Sequence, residues 1–352
     1  MKEIKERLST SYKNKKPFVV YNKPNSGEVF GLFQRNNQLH EISNEFYKSG
    51  FVFAPFSSTE KTVLIPLNES DFIQDSFEKV EINAVDFEIT EDELTKKIHE
   101  NLVKSGVEAI QKNQFQKVVL SRKETVAIAD FDIYDTYYKL LQLYPNAFVY
   151  VWFHPNVGLW FGATPETLVR LENQEFTTMS LAGTQSFSEH PKWTEKEKVE
   201  QQLVTDYIVE KLSRFSVDLK LTDATTVKAG SLVHLQTTIK GRLDASVDNG
   251  LYSLVELLHP TPAVCGLPKE VAKEFILMNE NYNRSYYTGY LGELNMNGKN
   301  LNDSHLFVNL RCMEVESSTA NIYVGGGITD KSIPSKEWEE TKEKSKIMRK
   351  VL

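Results

Sequence analysis

The chain is poor in cysteine. Its 352 residues contain two, Cys265 and Cys312, and they do not form a C-x-x-C pair. We therefore expect neither a disulfide framework nor a zinc site built on cysteines. An excess of positive charge is also missing, since the formal net charge is −7, and this argues against nucleic acid as a partner. A small anionic ligand stays possible, because the local field of a site need not follow the net charge.

Long hydrophobic runs are absent as well. The longest aromatic and apolar run, residues 148–153, is far too short to span a bilayer. The first residues, MKEIKERLSTSYKNKKP, are charged and contain no apolar segment of the kind found in secretory signals. We therefore expect a cytoplasmic protein with no membrane partner. No long heptad repeat or exposed apolar helix is evident, which predicts a monomer or a weak dimer.

The composition is otherwise that of a globular protein, with 40% hydrophobic and 25% charged residues in a chain long enough to bury a substantial core. Strand-like and helix-like segments alternate irregularly, which favours an α/β or α+β domain over a Rossmann fold. Residues 1–90 read as short strands and turns without recognisable chemistry. We interpret them as a divergent part of the same domain, and residues 91–352 as its catalytic region.

Two helices and one long strand are predicted near candidate functional residues. Thr90 and Glu93 form a capping box that opens one helix, and Thr194 and Glu197 form another. The second helix places Glu200 on the flank of its predicted apolar stripe, which consists of Val199, Leu203, Tyr207 and Leu212. The segment GLWFGATPETLVRL, residues 158–171, is predicted to be a single strand.

The C-terminal segment brings several groups of opposite charge close together in sequence. Arg311 lies in the middle of an apolar, strand-like run, and three glycines (residues 325–327) directly follow a strand. Glu337, Glu340 and Lys344 then recur at helical spacing. A guanidinium, bare backbone amides, carboxylates and a lysine suit a small acidic ligand that is held together with a divalent metal.

Ten segments occur in one order along the chain and together form a pattern. They are KVVLSR (117–122), GATPE (162–166), SLAGT (180–184), EKVEQQLV (197–204), HLQT (234–237), LHPTPAVCGLPK (258–269), GYLGE (289–293), NLRC (309–312), VGGGIT (324–329) and EWEETKEK (337–344). In these segments the chain resembles the chorismate-utilising enzymes, and among them it is most similar to the isochorismate synthases. The resemblance implies one compact α/β domain, in which two antiparallel sheets form the core and helices pack outside.

The resemblance also implies an isomerase with a Mg²⁺-dependent site for chorismate. Lys117 matches the general base and Glu166 the general acid. Glu200 and Glu340 match the metal carboxylates, and Glu337 is a third candidate ligand. The implied substrate-binding residues are Gly183, Thr184, His234, Ala263, Arg311, Tyr323, Gly325, Gly326, Gly327 and Lys344.

The implied reaction explains why these residue types are needed. Chorismate loses its 4-hydroxyl while water adds at C2, and hydroxide leaves only if an acid protonates it. That acid must stay protonated near neutral pH, which burial of a carboxyl achieves by raising its pKa. Water must be activated by a base, and a lysine at the start of a buried strand, deprived of solvation, can have its pKa lowered toward that range. Mg²⁺ takes oxygen ligands such as carboxylates.

Three positions distinguish the related activities. Lysine at 117, where ammonia-using relatives typically have glutamine, favours water as the nucleophile, so no glutaminase subunit is expected. Ala182 stands where aminodeoxychorismate synthases often carry a nucleophilic lysine, and Ala263 stands where salicylate synthases tend to have threonine. The alternatives are a salicylate synthase, which would go on to eliminate pyruvate, and a non-catalytic chorismate-binding protein. The sequence leaves open whether the product serves menaquinone or siderophore synthesis.

Overall fold

The computed structural model describes residues 1–82, 92–229, 232–244, 247, 249–296 and 303–352. These residues form seven α-helices and nineteen β-strands. The helices are α1 (Lys2–Lys13), α2 (Glu93–Gln111), α3 (Ile133–Leu143), α4 (Glu195–Leu212), α5 (Gly250–Leu258), α6 (Lys269–Asn279) and α7 (Pro334–Arg349).

The strands fall into two sets that are mixed along the chain. They are β1 (Phe18–Asn22), β2 (Glu28–Gln34), β3 (His40–Ile42), β4 (Gly50–Ala54), β5 (Thr62–Pro66), β6 (Ser70–Ser76), β7 (Lys117–Ala127), β8 (Phe148–His154), β9 (Gly158–Thr164), β10 (Thr167–Glu172), β11 (Glu175–Ser186), β12 (Ser216–Leu221), β13 (Thr225–Ala229), β14 (Leu232–Leu243), β15 (Gly266–Leu267), β16 (Tyr290–Leu294), β17 (Ser304–Val308), β18 (Cys312–Glu316) and β19 (Thr319–Ile328).

Both sheets are antiparallel. The nine-stranded sheet has the order β15-β7-β19-β18-β9-β8-β1-β2-β6. The ten-stranded sheet has the order β12-β14-β11-β10-β17-β16-β4-β5-β3, and β13 also pairs with β14. Strands from the first 82 residues therefore enter both sheets, while the proposed boundary at residue 90 lies outside the described residues.

The alternation of side chains along the strands explains how two sheets can pack together. On β1, Val19 and Tyr21 face the core between the sheets, whereas Phe18 and Val20 face a second core on the outer side. Both sets of side chains are buried, because helices cover the outer faces. This arrangement confirms the predicted fold class, two antiparallel sheets with helices packed outside.

Each outer face has its own helices. Helices α1 and α3 cover the nine-stranded sheet, with Leu8 and Leu140 fully buried, and α4 and α5 cover the ten-stranded sheet, with Val204 and Leu254 buried. Helices α2 and α6 pack against β7 and β15. Asp92 caps the N-terminus of α2 by accepting a hydrogen bond from the Leu94 amide, and the predicted cap Thr90 lies outside the described residues.

Among the places where the described chain passes from one sheet to the other, two lie side by side. Residues 165–166 lead from β9 to β10, and residues 309–311 lead from β17 to β18. The crossings are hydrogen-bonded to each other, since the amide of Val308 donates to the carbonyl of Glu166 (2.9 Å) and the amide of Ala163 to the carbonyl of Arg311 (3.0 Å). The single strand predicted over residues 158–171 is therefore wrong. Pro165 has no amide hydrogen to continue the ladder, and the strand breaks there.

No described helix combines the length and the apolar character that crossing a bilayer would need.

Candidate functional site

A cavity of about 330 Å³ lies beside these two crossings, and residues of α4 and α7 form part of its wall. This volume lies at the lower end of the range of small-molecule sites. All but two of the predicted site residues line it, namely Glu166, Gly183, Thr184, Glu200, His234, Ala263, Arg311, Gly325, Gly326, Gly327, Glu337, Glu340 and Lys344. Segments that are far apart in sequence thus meet around one cavity.

Lys117, the predicted base, lies directly beneath the wall of this cavity. It opens β7 and its side chain is 1% exposed. Its Nζ lies 2.9 Å from Oε1 of Glu200, and its Cε would be 3.2 Å from a Cβ placed on Gly327. The residue two positions further along β7, Val119, lines the cavity itself. The structure therefore brings the Lys117 ammonium within contact of a predicted metal carboxylate.

Glu166, the predicted acid, lies at the first crossing with its side chain almost completely buried. Burial raises the pKa of this carboxyl to about 7, although the positive charges of Lys117 and Arg311 act in the opposite direction. A carboxyl with such a pKa carries its proton in a large fraction of molecules near neutral pH. It can therefore donate a proton as well as accept one.

The sequence suggested that Arg311 lies inside a strand. The structure places it instead at the second crossing, between β17 and β18. Its φ of 48° is in the left-handed region, which is unfavourable for a side chain other than glycine. Burial lowers the pKa of its guanidinium, while Tyr287, Glu340 and Glu166 act in the opposite direction. Within the described chain, no group hydrogen-bonds its Nε. A buried cation with an unpartnered donor is suited to an anionic ligand.

His234 is neutral and presents an acceptor. Its Nδ1 lies 3.0 Å from the carbonyl oxygen of Gly183, which can only accept, so the proton is on Nδ1. Burial lowers the pKa of the ring to about 3, and the charges of Arg311 and Lys344 act in the same direction. Nε2 is buried without a hydrogen-bond partner among the described residues. It is therefore placed to accept a hydrogen bond from a ligand hydroxyl.

The glycine segment at the end of β19 has an open edge beside the cavity. Lys344 donates to the carbonyl of Gly325 (2.8 Å), and Ser121, which faces Gly325 on β7, donates its amide to Glu280 instead. Since the N–H and C=O of one strand residue point to the same side, the amide of Gly325 also points away from β7. Gly327, two residues on, has the same orientation. These amides are placed to serve as the backbone donors that the sequence suggested.

Two helices each present a pair of glutamates at i, i+3 to the cavity. On α7 they are Glu337 and Glu340, and on α4 they are Glu197 and Glu200. Sequence reasoning assigned Glu197 only to a capping box and missed its place in the cavity wall. It does accept the Thr194 amide (2.7 Å), and it lines the cavity as well. The identical spacing of the two pairs was the signal that could have revealed it.

The carboxylates have the donor chemistry that Mg²⁺ prefers. A Cβ on Gly326 would lie 3.4 Å from Oε2 of Glu337 and 3.5 Å from Oε1 of Glu340, so the glycine leaves open the space that both oxygens face. Glu200 and Glu340 are each paired with a lysine, and among the described residues no three metal-binding side chains are gathered as a ready ligand set. These carboxylates are chemically suited to a magnesium ion, which would have to displace the ammonium groups of Lys117 and Lys344 from Glu200 and Glu340.

Tyr323 does not line the cavity, contrary to what the resemblance implied. Its side chain belongs to the core between the sheets, and its hydroxyl hydrogen-bonds Oε2 of Glu314 (3.1 Å). One face of the ring stacks on Trp160, and Tyr287 stacks at a centroid distance of 5.5 Å. Tyr287 lines the cavity in its place. The sequence offers no spacing that would have selected Tyr287 from among the neighbouring tyrosines.

A buried ion pair fixes the cavity wall from behind. Arg284 and Glu280, both 2% exposed, form a 2.6 Å salt bridge. Arg284 also donates to the carbonyls of Val119 (2.7 Å) and Val264 (2.9 Å), and Glu280 accepts the amide of Ser121. The pair therefore joins β7 to the loop that carries Ala263 and Val264.

These features suit a small acidic molecule: a cavity with a buried guanidinium, open amides, a protonatable carboxyl and two glutamate pairs. A family model described as chorismate binding enzyme matches residues 57–352, and the chain belongs to this family.

Two curated relatives have similar sequences. The salicylate biosynthesis isochorismate synthase of Pseudomonas aeruginosa is 31% identical over 262 residues, which cover 71% of this chain and 53% of the relative. Isochorismate synthase DhbC of Bacillus subtilis is 33% identical over 199 residues, which cover 53% of this chain and 48% of the relative. The match thus spans about half the length of these relatives.

Solved structures share the fold. The structure of a putative 2,3-dihydroxybenzoate-specific isochorismate synthase from Bacillus anthracis matches with a TM-score of 0.80, covering 99% of both chains at 22% identity. The menaquinone-specific isochorismate synthase MenF of Escherichia coli matches with a TM-score of 0.76, covering 96% of this chain and 88% of MenF at 19% identity.

Proposed function

We propose that this protein is an isochorismate synthase, which converts chorismate to isochorismate. The observation that carries the proposal is the burial of Glu166, whose carboxyl has a pKa of about 7 in a cavity that Lys117 adjoins. An acid that is protonated near neutral pH, close to a lysine, is what exchange of a ring hydroxyl for water requires. The names of the two curated relatives support the same activity.

The cavity offers complementary groups to each polar part of chorismate. The carboxylates of chorismate would bind the Arg311 guanidinium, the Lys344 ammonium and the open amides of Gly325 and Gly327. The neutral His234 would accept a hydrogen bond from a hydroxyl. These contacts would hold the ring between the base and the acid.

The proposed reaction exchanges one hydroxyl for another without oxidation or reduction. The Lys117 amine, in its neutral form, takes a proton from water as the water oxygen bonds to C2. The ring double bonds shift, the bond between C4 and oxygen breaks, and Glu166 gives its proton to the departing hydroxyl, which leaves as water. Transfer of a proton from Lys117 to Glu166 through solvent then restores both groups.

Magnesium is part of the proposal. Glu200, Glu337 and Glu340 would hold the ion, with Glu197 beside them, and when bound it would neutralise carboxylate charge on the substrate. Water, rather than ammonia, is the proposed nucleophile because Lys117 occupies the position of the base. The proposed activity therefore requires no glutaminase subunit.

A product assay tests this proposal. The protein is incubated with chorismate and Mg²⁺ in the absence of ammonia, and products are separated by chromatography. We expect isochorismate to accumulate towards an equilibrium mixture, and Lys117→Ala to lower kcat by about 10²-fold or more, as is typical for loss of a general base. Lys123→Ala is the matched control, because Lys123 is an exposed lysine on the same strand.

Three results would contradict the proposal in different ways. Salicylate with stoichiometric pyruvate would move the assignment to a salicylate synthase. Chorismate binding without turnover would indicate a non-catalytic binding protein. Equal rates for the wild type and Lys117→Ala would remove the assigned base.

A further inference from the structure

Asn309 lies at the second crossing, two residues before Arg311, and its side chain is completely buried. Its Oδ1 accepts a hydrogen bond from the Tyr150 hydroxyl (2.7 Å), and its Nδ2 donates to the carbonyl of Tyr286 (2.9 Å). Tyr150 belongs to β8 of the nine-stranded sheet, whereas Tyr286 lies just before β16 of the ten-stranded sheet. One amide side chain therefore connects both sheets.

The backbone of Asn309 holds the same turn before β16. Its amide donates to the carbonyl of Gly289 (2.8 Å), and its carbonyl accepts from the amide of Thr288 (2.9 Å). Together with the side-chain bond to Tyr286, three hydrogen bonds bracket Tyr287, whose side chain lines the cavity. Asn309 therefore helps to fix the position of Tyr287, which also donates its amide to the Arg284 carbonyl (2.9 Å).

Two residues in this wall have unfavourable backbone conformations. Arg311 (φ 48°) and Thr288 (φ 60°) are both in the left-handed region, and both line the cavity. Such conformations persist only where the surroundings impose them. Asn309 hydrogen-bonds Thr288 directly, and only Leu310 separates it from Arg311. It is therefore connected to both strained residues.

We infer that Asn309, held by the Tyr150 hydroxyl, is a positioning residue that fixes Arg311 and Tyr287 for binding of the substrate carboxylate. The inference rests on the proposed function. Neither Asn309 nor Tyr150 lines the cavity, so both act through the residues that do. Because the side-chain bonds of Asn309 reach neither Lys117 nor Glu166, loosening them should weaken substrate binding more than the chemical step.

Tyr150→Phe is the sharpest test, because it removes one hydroxyl and keeps the buried ring. Losing a buried hydrogen bond of ordinary strength predicts a rise in KM for chorismate of about five- to tenfold, with kcat changed less than about twofold. Asn309→Ala removes both side-chain bonds and should raise KM further. Calorimetric titration with chorismate should show the same order of affinities.

Tyr21→Phe is the matched control. Tyr21 is as completely buried as Tyr150, lies on neighbouring β1, and donates its hydroxyl to a residue of the other sheet, Glu293 (2.6 Å). It does not line the cavity. We expect Tyr21→Phe to lower the melting temperature about as much as Tyr150→Phe while leaving KM unchanged.

The outcomes separate this inference from the proposed function. If the wild type makes isochorismate and Tyr150→Phe loses thermal stability with an unaltered KM, the hydroxyl is merely structural and the inference is wrong. If the wild type binds chorismate without turnover, the proposed activity fails, and the affinities of the two tyrosine variants still decide the role of Asn309. A wild-type chain that neither binds nor converts chorismate overturns both.

Discussion

The Lys344 ammonium lies 2.5 Å from Oε1 of Glu340, one turn earlier on α7, and also donates to the Gly325 carbonyl (2.8 Å). The side chain of Lys344 is buried, so this contact is shielded from solvent. One proposed metal carboxylate is therefore neutralised by a residue of its own helix. A divalent cation at Glu340 would have to compete with this ammonium.

Lys344→Met should raise the Mg²⁺ affinity of the substrate-free protein, by about tenfold, since a positive charge next to the ion is removed. It should also weaken chorismate binding, because a proposed carboxylate contact is lost. Titration calorimetry with Mg²⁺ alone, and then with chorismate, measures both effects. Lys346→Met is the control, since Lys346 pairs with Glu343 on the same helix but its side chain is 36% exposed. Equal Mg²⁺ affinities for all three proteins would show that Lys344 and the ion do not compete.

Glu166 should make the stability of the protein depend on pH in a particular direction. The pKa of its carboxyl rises from 4.5 to about 7 on folding, because the buried site disfavours the charged form. The stability associated with the neutral carboxyl is fully present below pH 4.5 and is lost as pH rises through about 7. Glu166→Gln, which stays neutral, should therefore match the wild type at low pH and exceed it above pH 7, by up to about 3 kcal/mol.

Denaturant unfolding of both proteins across this pH range measures the difference. Glu172→Gln is a suitable control, because Glu172 follows on β10 and its side chain is half exposed. A difference between wild type and Glu166→Gln that stays constant with pH would mean that the carboxyl is not desolvated as described. The same variant should also lose most of its turnover, because an amide cannot donate the required proton.

The sequence was most informative about the strands and about the residues of the ordered motifs. Short runs of β-branched and aromatic residues indicated strands such as β1 and β8, and the ordered motifs identified more than half of the residues around the cavity. Helix faces were harder to assign. The predicted stripe on α4 included Val199, which is 50% exposed, while Val204 and Ile208 are buried instead. A helix can carry two adjacent apolar stripes, and the periodicity of 3.6 residues does not show which of them packs against a sheet.

The conformation of the site depends on contacts that the sequence does not contain. Arg311 was expected in mid-strand because its neighbours are apolar, yet it occupies a left-handed turn that exists only because two sheets meet there. Tyr323 and Tyr287 stack on each other, and which ring reaches the cavity is decided by the crossing between sheets. Local pattern predicts the elements, and the packing of distant elements decides which side chains line the cavity.

His99 should make the protein less stable in acid. Its ring is buried between α2 and α7, 5.9 Å from the ring of Trp338, and burial lowers its pKa from 6.5 to about 3, with the charge of Arg122 acting in the same direction. The stability gained from the neutral ring is present above pH 6.5 and is lost as pH falls towards 3. Between neutral pH and about pH 5, the free energy of unfolding should fall by about 2 kcal/mol less in His99→Phe than in the wild type.

The measurement is the slope of the unfolding free energy against pH between about 4 and 7, which is independent of any constant cost of the substitution. His190→Phe, at an exposed histidine, should leave the slope as it is in the wild type. An unchanged slope in His99→Phe would indicate that His99 is protonated without cost in the folded protein.

A side chain at Gly327 should push the Glu200 carboxylate out of its place. A Cβ at this position would lie 2.5 Å from Oε1 of Glu200 and 3.2 Å from Cε of Lys117, and the first distance is too short for any real contact. Gly327→Ala should therefore displace the Glu200 carboxylate and disturb its ion pair with Lys117, lowering kcat by about tenfold to a hundredfold, as misplacement of a catalytic group by about 1 Å commonly does. Gly27→Ala, where a Cβ would meet nothing within 4 Å, is the control. Steady-state kinetics and Mg²⁺ titration of the two variants test this prediction. If Gly327→Ala kept both the kcat and the Mg²⁺ affinity of the wild type, displacement of Glu200 would have no functional effect.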